Sequence, residues 1–313
     1  MQSTINRKKV SLKIVKKVSM IHWLFCCIMS MMIHGLYALS HKEAFDLQIK
    51  EGNLLLPISQ RPIAFFNFGQ LIADKNDFLF FGSLTARTGK QQKYIDSLQQ
   101  FLYAPIDDVA ILLSTNQALQ YKVRGNDSSG FADTVVEVEY NFAKQYKPTS
   151  TKRATIVGML QLPTGSARQY PPTGLGSPAI FLGLVGYHTS IEWYHYLEAG
   201  VLLTTPHHHS KAGNQIWYGA GIGHNLHHFQ RWILALIIES NGMYSRRDCM
   251  KGTRNQNSGS NILYIGPTFF AADKRFIFKV SVQIPAYQKI NGAQPKINVL
   301  FGARLGIKFT NVM

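Results

Sequence analysis

Histidine is the residue type that most readily suggests chemistry in this chain. It clusters twice, as His207-His208-His209 and as His224, His227 and His228. Imidazole binds zinc, copper and nickel, so either cluster could seat a metal if ligands of its own completed the shell. His195 and Glu198, with serines elsewhere, supply the residue types of a nucleophile, base and carboxylate set, but no spacing supports a triad. Glu137, Glu139, Arg153, Glu192, Glu198, Lys279, Arg304 and Lys308 stand at one set of alternate positions in otherwise apolar segments. Charges held on one face either pair with one another or form a filter for solutes. Arg246, Arg247, Lys251 and Arg254 crowd the stretch 241–260, where guanidinium forks suit phosphate partners. Cysteine offers least, because Cys26, Cys27 and Cys249 form no CxxC pair and no zinc-ribbon spacing.

The elements that must position these residues show a period of two. Val136, Val138, Tyr140 and Phe142 alternate with Glu137, Glu139 and Asn141. Phe276 to Ile284 repeats the pattern, with Ile277, Lys279, Ser281 and Gln283 on the second face. From Ile297 to Phe309 an apolar face alternates with Asn298, Leu300, Gly302, Arg304, Gly306 and Lys308. Successive side chains of a strand point to opposite faces, so each segment has one apolar and one polar or glycine-bearing face. Twelve such segments are legible: 77–87, 92–103, 108–119, 132–144, 152–163, 178–189, 192–204, 213–223, 229–240, 261–271, 274–286 and 296–309. Ordinary strands run to about 5–6 residues, whereas strands that cross a bilayer need about 9–11.

Composition narrows the class further. The 313 residues are 46% apolar and 12% aromatic, which excludes intrinsic disorder. Mean hydropathy is −0.05, too low for repeated apolar runs of about 20 residues, so a polytopic helical membrane protein is excluded. Residues 1–40 carry Arg7, Lys8, Lys9, Lys13, Lys16 and Lys17 and no acid, and then turn apolar from Met20 to Leu39. A basic start, an apolar stretch and the small residues Ala38 and Ser40 describe a signal peptide cut after Ser40. Its loss takes six charges from the formal +16, leaving about +10, and leaves Cys249 as the only cysteine. Residues 41–76 are then a short N-terminal segment able to tuck into a lumen, and 77–313 the strand domain.

The connections add a test. Those at 120–131, 164–177, 205–212, 241–260 and 287–295 are long, while 105–107, 190–191, 224–228 and 272–273 are short. Apart from the first connection and the 145–151 turn, long and short alternate, as in an antiparallel barrel with long outer loops, short periplasmic turns and periplasmic termini. Tyr140, Trp193, Tyr194, Tyr196, Trp217, Tyr218, Trp232, Tyr264 and Tyr287 fit aromatic girdles, and Phe309 fits a signal to the barrel-assembly machinery. In this topology the two histidine clusters lie at opposite ends of a barrel about 25 Å tall and read as solvated loop residues. The eight alternating charges face the lumen, because Arg or Lys facing lipid at the midplane costs about 2–4 kcal/mol. Salt-bridged packing is favoured over a filter, since acids and bases are mixed. The basic stretch 241–260 becomes an outer loop beside lipopolysaccharide.

The motifs between these strands resemble a family. Ser129-Gly130-Phe131-Ala132-Asp133-Thr134 is similar to its Gly-x-x-Asp opening. Leu162-Pro163-Thr164-Gly165 and Gly174-Leu175-Gly176-Ser177 are similar to its Leu-Pro-Thr-Gly and Gly-x-Gly-Ser pair. Ile265-Gly266-Pro267, Phe278 through Tyr287, and Asn291-Gly292 resemble its closing hairpins, so the resemblance covers about 62–309. The family is the one named for a putative MetA pathway of phenol degradation, whose members are outer-membrane β-barrels. It implies a channel for small aromatic or other apolar compounds and does not imply a phenol-degrading enzyme.

The expectation is therefore an all-β, twelve-stranded transmembrane barrel of a Gram-negative outer membrane, with no catalytic residues, metal or cofactor. Its partners are outer-membrane lipids, lipopolysaccharide, the assembly machinery and a small solute. Nucleic acid is not among them, because no nucleic-acid module accompanies the positive charge. Two functions compete: a passive channel, and a closed structural or surface-recognition barrel. An outer-membrane lipid hydrolase built on His195 ranks below both.

Overall fold

The computed structural model describes residues 52–69, 73–147, 149–207, 210–229 and 232–309; the signal peptide expected at 1–40 lies outside them. The strands in chain order are β1 (Phe78–Gly89), β2 (Gln92–Ile106), β3 (Val109–Val123), β4 (Asn126–Phe131), β5 (Thr134–Lys147), β6 (Ser150–Leu162), β7 (Ala179–Ser190) and β8 (Trp193–Thr204). They continue as β9 (Ser210–Lys211), β10 (Gln215–Phe229), β11 (Trp232–Ser245), β12 (Cys249–Met250), β13 (Thr253–Arg254), β14 (Ser260–Ala272), β15 (Phe276–Ile290) and β16 (Val299–Phe309). Twelve of them close an all-antiparallel barrel, sealed where β1 pairs with β16 from Phe78↔Phe309 to Thr88↔Val299. Barrel strands run from 11 residues in β16 to 15 in β2. β4 is a folded-back extension of β3, and β9, β12 and β13 form a small sheet on the outer loops.

Each of the twelve predicted segments overlaps one barrel strand. Two connections need correction. The short turn expected at 224–228 is strand instead: β10 continues to Phe229, and a register shift between Asn225 and His227 inserts Leu226 as an extra residue. A bulge breaks the period of two, so the polar run reads as a turn. The histidines expected in that turn therefore belong to β10. The loop expected at 120–131 is mostly the β3–β4 hairpin, turning at Arg124-Gly125, where both residues have positive φ.

The outside of the wall is apolar. Leu182 and Leu197 are 64% and 68% exposed, while Leu79 and Leu112 on the inner faces are fully buried. Exposed Leu184, Val201, Leu203, Ile222, Ile238 and Ile284 extend the outer surface. Soluble monomers rarely expose contiguous apolar patches beyond a few hundred Å². A closed wall, its twelve strands paired all the way round, meets the requirement for crossing lipid, and the protein is an outer-membrane barrel. Tyr140, Trp193, Tyr218 and Tyr287 face outward, as girdle residues do. Tyr194, Tyr196 and Tyr264 are buried on inner faces, and Trp217 packs inward against Phe181. These four are core residues, contrary to the girdle expectation.

Candidate functional site

The lumen is threaded by the segment that precedes β1. Residues 52–60 hold two short 3-10 turns, Gly52–Leu55 and Ile58–Gln60. They dock at the periplasmic end, where the Asn53 N–H donates to the Ile191 carbonyl (2.8 Å) and Asn53 Nδ2 to Ser190 O (3.1 Å). Arg61 Nη1 donates to Thr151 Oγ1 at the start of β6 (3.1 Å). The chain then rises, with Ile63, Ala64, Phe65 and Phe68 buried. It returns to the periplasmic end, where the Lys308 ammonium of β16 pairs with Asp77 at 2.6 Å and with Asp74 at 3.6 Å.

At its highest stretch the segment is held by barrel charges. The N–H groups of Phe65 and Phe66 donate to Glu239 Oε2 at 2.9 and 3.4 Å, and the Phe68 N–H donates to Glu198 Oε2 at 3.2 Å. Lys279 Nζ donates to the Ala64 carbonyl at 2.9 Å. Glu239 also accepts from Ser281 Oγ (3.1 Å) and from Thr268 Oγ1. Arg304 donates from Nε to Ser83 Oγ (2.8 Å) and sets its guanidinium over the Phe65 ring, 5.2 Å from the centroid. Glu137 lies against Glu139 and reaches the backbone of Gly69. Hydrogen bonds to charged groups contribute about 1.5–3 kcal/mol each, and an unpartnered buried charge costs several. The segment and the charges therefore stabilise one another.

Glycines open the space for the phenylalanines. A Cβ on Gly302 would overlap the Phe65 ring, and one on Gly183 would come within 2.6 Å of Phe68. Phe68 stacks edge-on to Phe181 at 4.7 Å between ring centroids, and Phe181 meets Trp217 at 4.9 Å. The glycine-bearing face of the closing strand thus receives this segment.

The eight charges expected in the lumen do not form one ring. Glu137, Glu139, Glu198, Lys279 and Arg304 gather around residues 64–69. Lys308 sits below them with Asp77, and Arg153, near the periplasmic start of β6, donates to Tyr146 Oη (3.0 Å). Glu192 is corrected: it lies in the exposed turn between β7 and β8, 3.8 Å from His224. Glu239 and Arg61 belong to the site and escaped the sequence reading. Glu239 ends the unbroken apolar run Trp232 to Ile238, which shows no alternation, and Arg61 lies in a segment with no period.

The other candidates separate. His195 stands on the lipid face, stacked 6.2 Å from Trp193 and 5.9 Å from His188, while Glu198 is buried on the inner face. The wall of the barrel divides the pair. His224 is also outward, 4.4 Å from Trp193, and His207 bridges Ser210 in an outer loop; His208 and His209 lie outside the described residues.

The family-like motifs meet at Asp133. Its carboxylate accepts from the Gly165 N–H (2.9 Å), the Leu175 N–H (2.7 Å) and Gln161 Nε2 (2.9 Å). It ties both ends of the outer loop 163–178 to the start of β5. A Cβ on Gly174 would strike Asp133 Oδ1, so these glycines and the aspartate form one clamp.

No family model matches the chain, and no curated protein matches it; the likeness of its motifs to the phenol-pathway family stays a resemblance. Among solved structures, an outer-membrane channel from Pseudomonas putida F1 aligns with 79% of this chain and 100% of its own, at 11% identity and a TM-score of 0.65. The β domain of the Bordetella autotransporter BrkA aligns with 75% of this chain and 100% of its own, at 11% identity and a TM-score of 0.47. The KdgM porin aligns with 74% of this chain and 99% of its own, at 7% identity and a TM-score of 0.43. The first of these likenesses shows the shared barrel fold.

Proposed function

We propose that the protein is a passive outer-membrane channel for small solutes, closed at mid-height by residues 64–69 and opened when they move. The observation that carries this reading is the identity of the partners. Glu198, Glu239 and Lys279 hold the main chain of an irregular segment, a ligand that water or solute can replace. A lumen meant only to be filled would be stabilised more simply by apolar side chains, which often equal or exceed a buried ion pair. Phe65, Phe68, Phe181 and Trp217 give the path an apolar stretch suited to small aromatic or other apolar compounds. The shared fold of the Pseudomonas putida channel supports the reading.

The second reading is a sealed barrel with a structural or surface-recognition role, favoured by the depth of burial of Phe65 and Ala64. Liposome swelling and planar-bilayer recordings with the refolded full chain separate the two. The channel reading expects permeation by small solutes. It also expects a several-fold rise in Glu239→Gln/Lys279→Met, where the grip on the segment is weakened, and a shift toward cation selectivity in Arg304→Glu. Membranes that stay sealed with both the wild type and the double variant would establish the closed barrel.

A further inference from the structure

The outer loops carry a second charged site, remote from the lumen. A cavity of about 840 Å³ lies among the outer loops at the extracellular ends of β11, β14 and β15. Arg246, Arg247 and Arg254 line it from the loop 246–259, Lys211 from β9 and Lys289 from β15. No Asp or Glu contributes to the lining. None of the five cations pairs with a carboxylate among the described residues. Lys251, grouped with them by sequence, is exposed but outside the lining.

The cations are held close together by the fold. Cys249 pairs with Lys211 on one side and with Arg254 on the other in the three-stranded sheet. Cross-strand partners share a face, so Lys211 and Arg254 stand on one face of this sheet on either side of Cys249, about 10 Å apart by the spacing of strands. The Arg246 N–H donates to Asn214 O (2.9 Å), and the Gly213 N–H donates to Asp248 Oδ1 (2.8 Å), so the two loops are locked before any ligand arrives.

The height of the cavity identifies the anion. Tyr244 and Tyr287, both outward and 40% and 48% exposed, line its lower part. Beside them Tyr218 Oη donates to Asn261 Oδ1 (2.9 Å), another lining residue. Tyrosine belts mark the level of the headgroups. Below the belt, β14 and β15 present Ile265, Val282 and Ile284 to the lipid. The site therefore joins a cationic, anion-ready pocket at headgroup level to an apolar wall where acyl chains can lie. We infer that it binds the phosphorylated headgroup of an outer-leaflet glycolipid, the lipid A part of lipopolysaccharide, with Arg247 and Arg254 as phosphate forks and Lys289 as a point charge.

The test uses the full chain in detergent and four probes: bisphosphorylated lipid A, the same lipid without phosphates, phosphatidylglycerol and inorganic pyrophosphate. The wild type should hold bisphosphorylated lipid A at least tenfold more tightly than the other three. Arg247→Gln/Arg254→Gln/Lys289→Gln should lose at least tenfold for that lipid, and Arg254→Gln alone should lose less. Lys90→Gln/Lys93→Gln/Lys122→Gln, a basic corner elsewhere on the outer rim, should bind as the wild type does. Retention of the fast-migrating unboiled band shows that each variant is folded. Equal loss in the control triple would mean diffuse charge and overturn the site. Pyrophosphate binding as tight as lipid A would make the ligand a soluble anion, and equal binding of phosphatidylglycerol any anionic lipid; either result overturns the assignment.

Discussion

Asp133 shows how much one side chain decides at the outer rim. It is buried, and its two oxygens accept three hydrogen bonds, from residues 161, 165 and 175. Asp133→Ala should destabilise the barrel by about 3 kcal/mol, since bonds to a charged acceptor contribute about 1.5–3 kcal/mol each and share one acceptor here. Asp133→Asn should lie in between. Urea unfolding from lipid vesicles measures the cost, and protease nicking within 163–178 should appear only in the weakened variants. Sequence alone marked 164–177 as a long connection and placed Pro163, Gly165, Gly174 and Gly176 in family-like motifs at its two ends. It did not show that an aspartate some 30 to 40 residues away joins them, because contacts over such separations leave no local period.

Elements with a period were legible, and the segment without one was not. Apolar patterning, alternating in most segments and continuous in β11, located all twelve barrel strands because each needs an apolar face toward lipid. It misplaced the end of β10, where Leu226 bulges out of register, and it hid Glu239 inside an apolar run. It assigned Glu192 to the lumen although a turn holds it outside. The segment 52–69 has no repeat to read, because its backbone is satisfied by barrel side chains instead of by a ladder. Its return to the wall is fixed by the Lys308–Asp77 pair, each side chain only 6% exposed. Removing one partner of a buried pair costs about 3–5 kcal/mol. Lys308→Met should therefore destabilise by about that much, and Lys308→Met/Asp77→Leu by clearly less, as a double-mutant cycle in vesicles would record. Equal losses in the single and double variants would show that the pair does not anchor the segment.

At the scale of the whole molecule, near-zero mean hydropathy arises from two surfaces that cancel. The outer wall is apolar enough for hydrocarbon, and the inner wall carries the charges, so their average resembles an ordinary soluble chain. The position of a substitution along the barrel axis then matters more than its exposure. Leu184 lies near the middle of β7 and is 56% exposed, and Tyr287 near the outer end of β15 is 48% exposed. In a soluble barrel, arginine at either position would be almost neutral, since surface substitutions usually stay within about 0.5 kcal/mol. In a bilayer, Leu184→Arg should cost about 2–4 kcal/mol and Tyr287→Arg about 0–1 kcal/mol. Folding equilibria in phospholipid vesicles resolve that difference. A flat response along the axis would contradict a wall that faces lipid, whereas a cost that peaks at Leu184 would locate the bilayer midplane on the barrel.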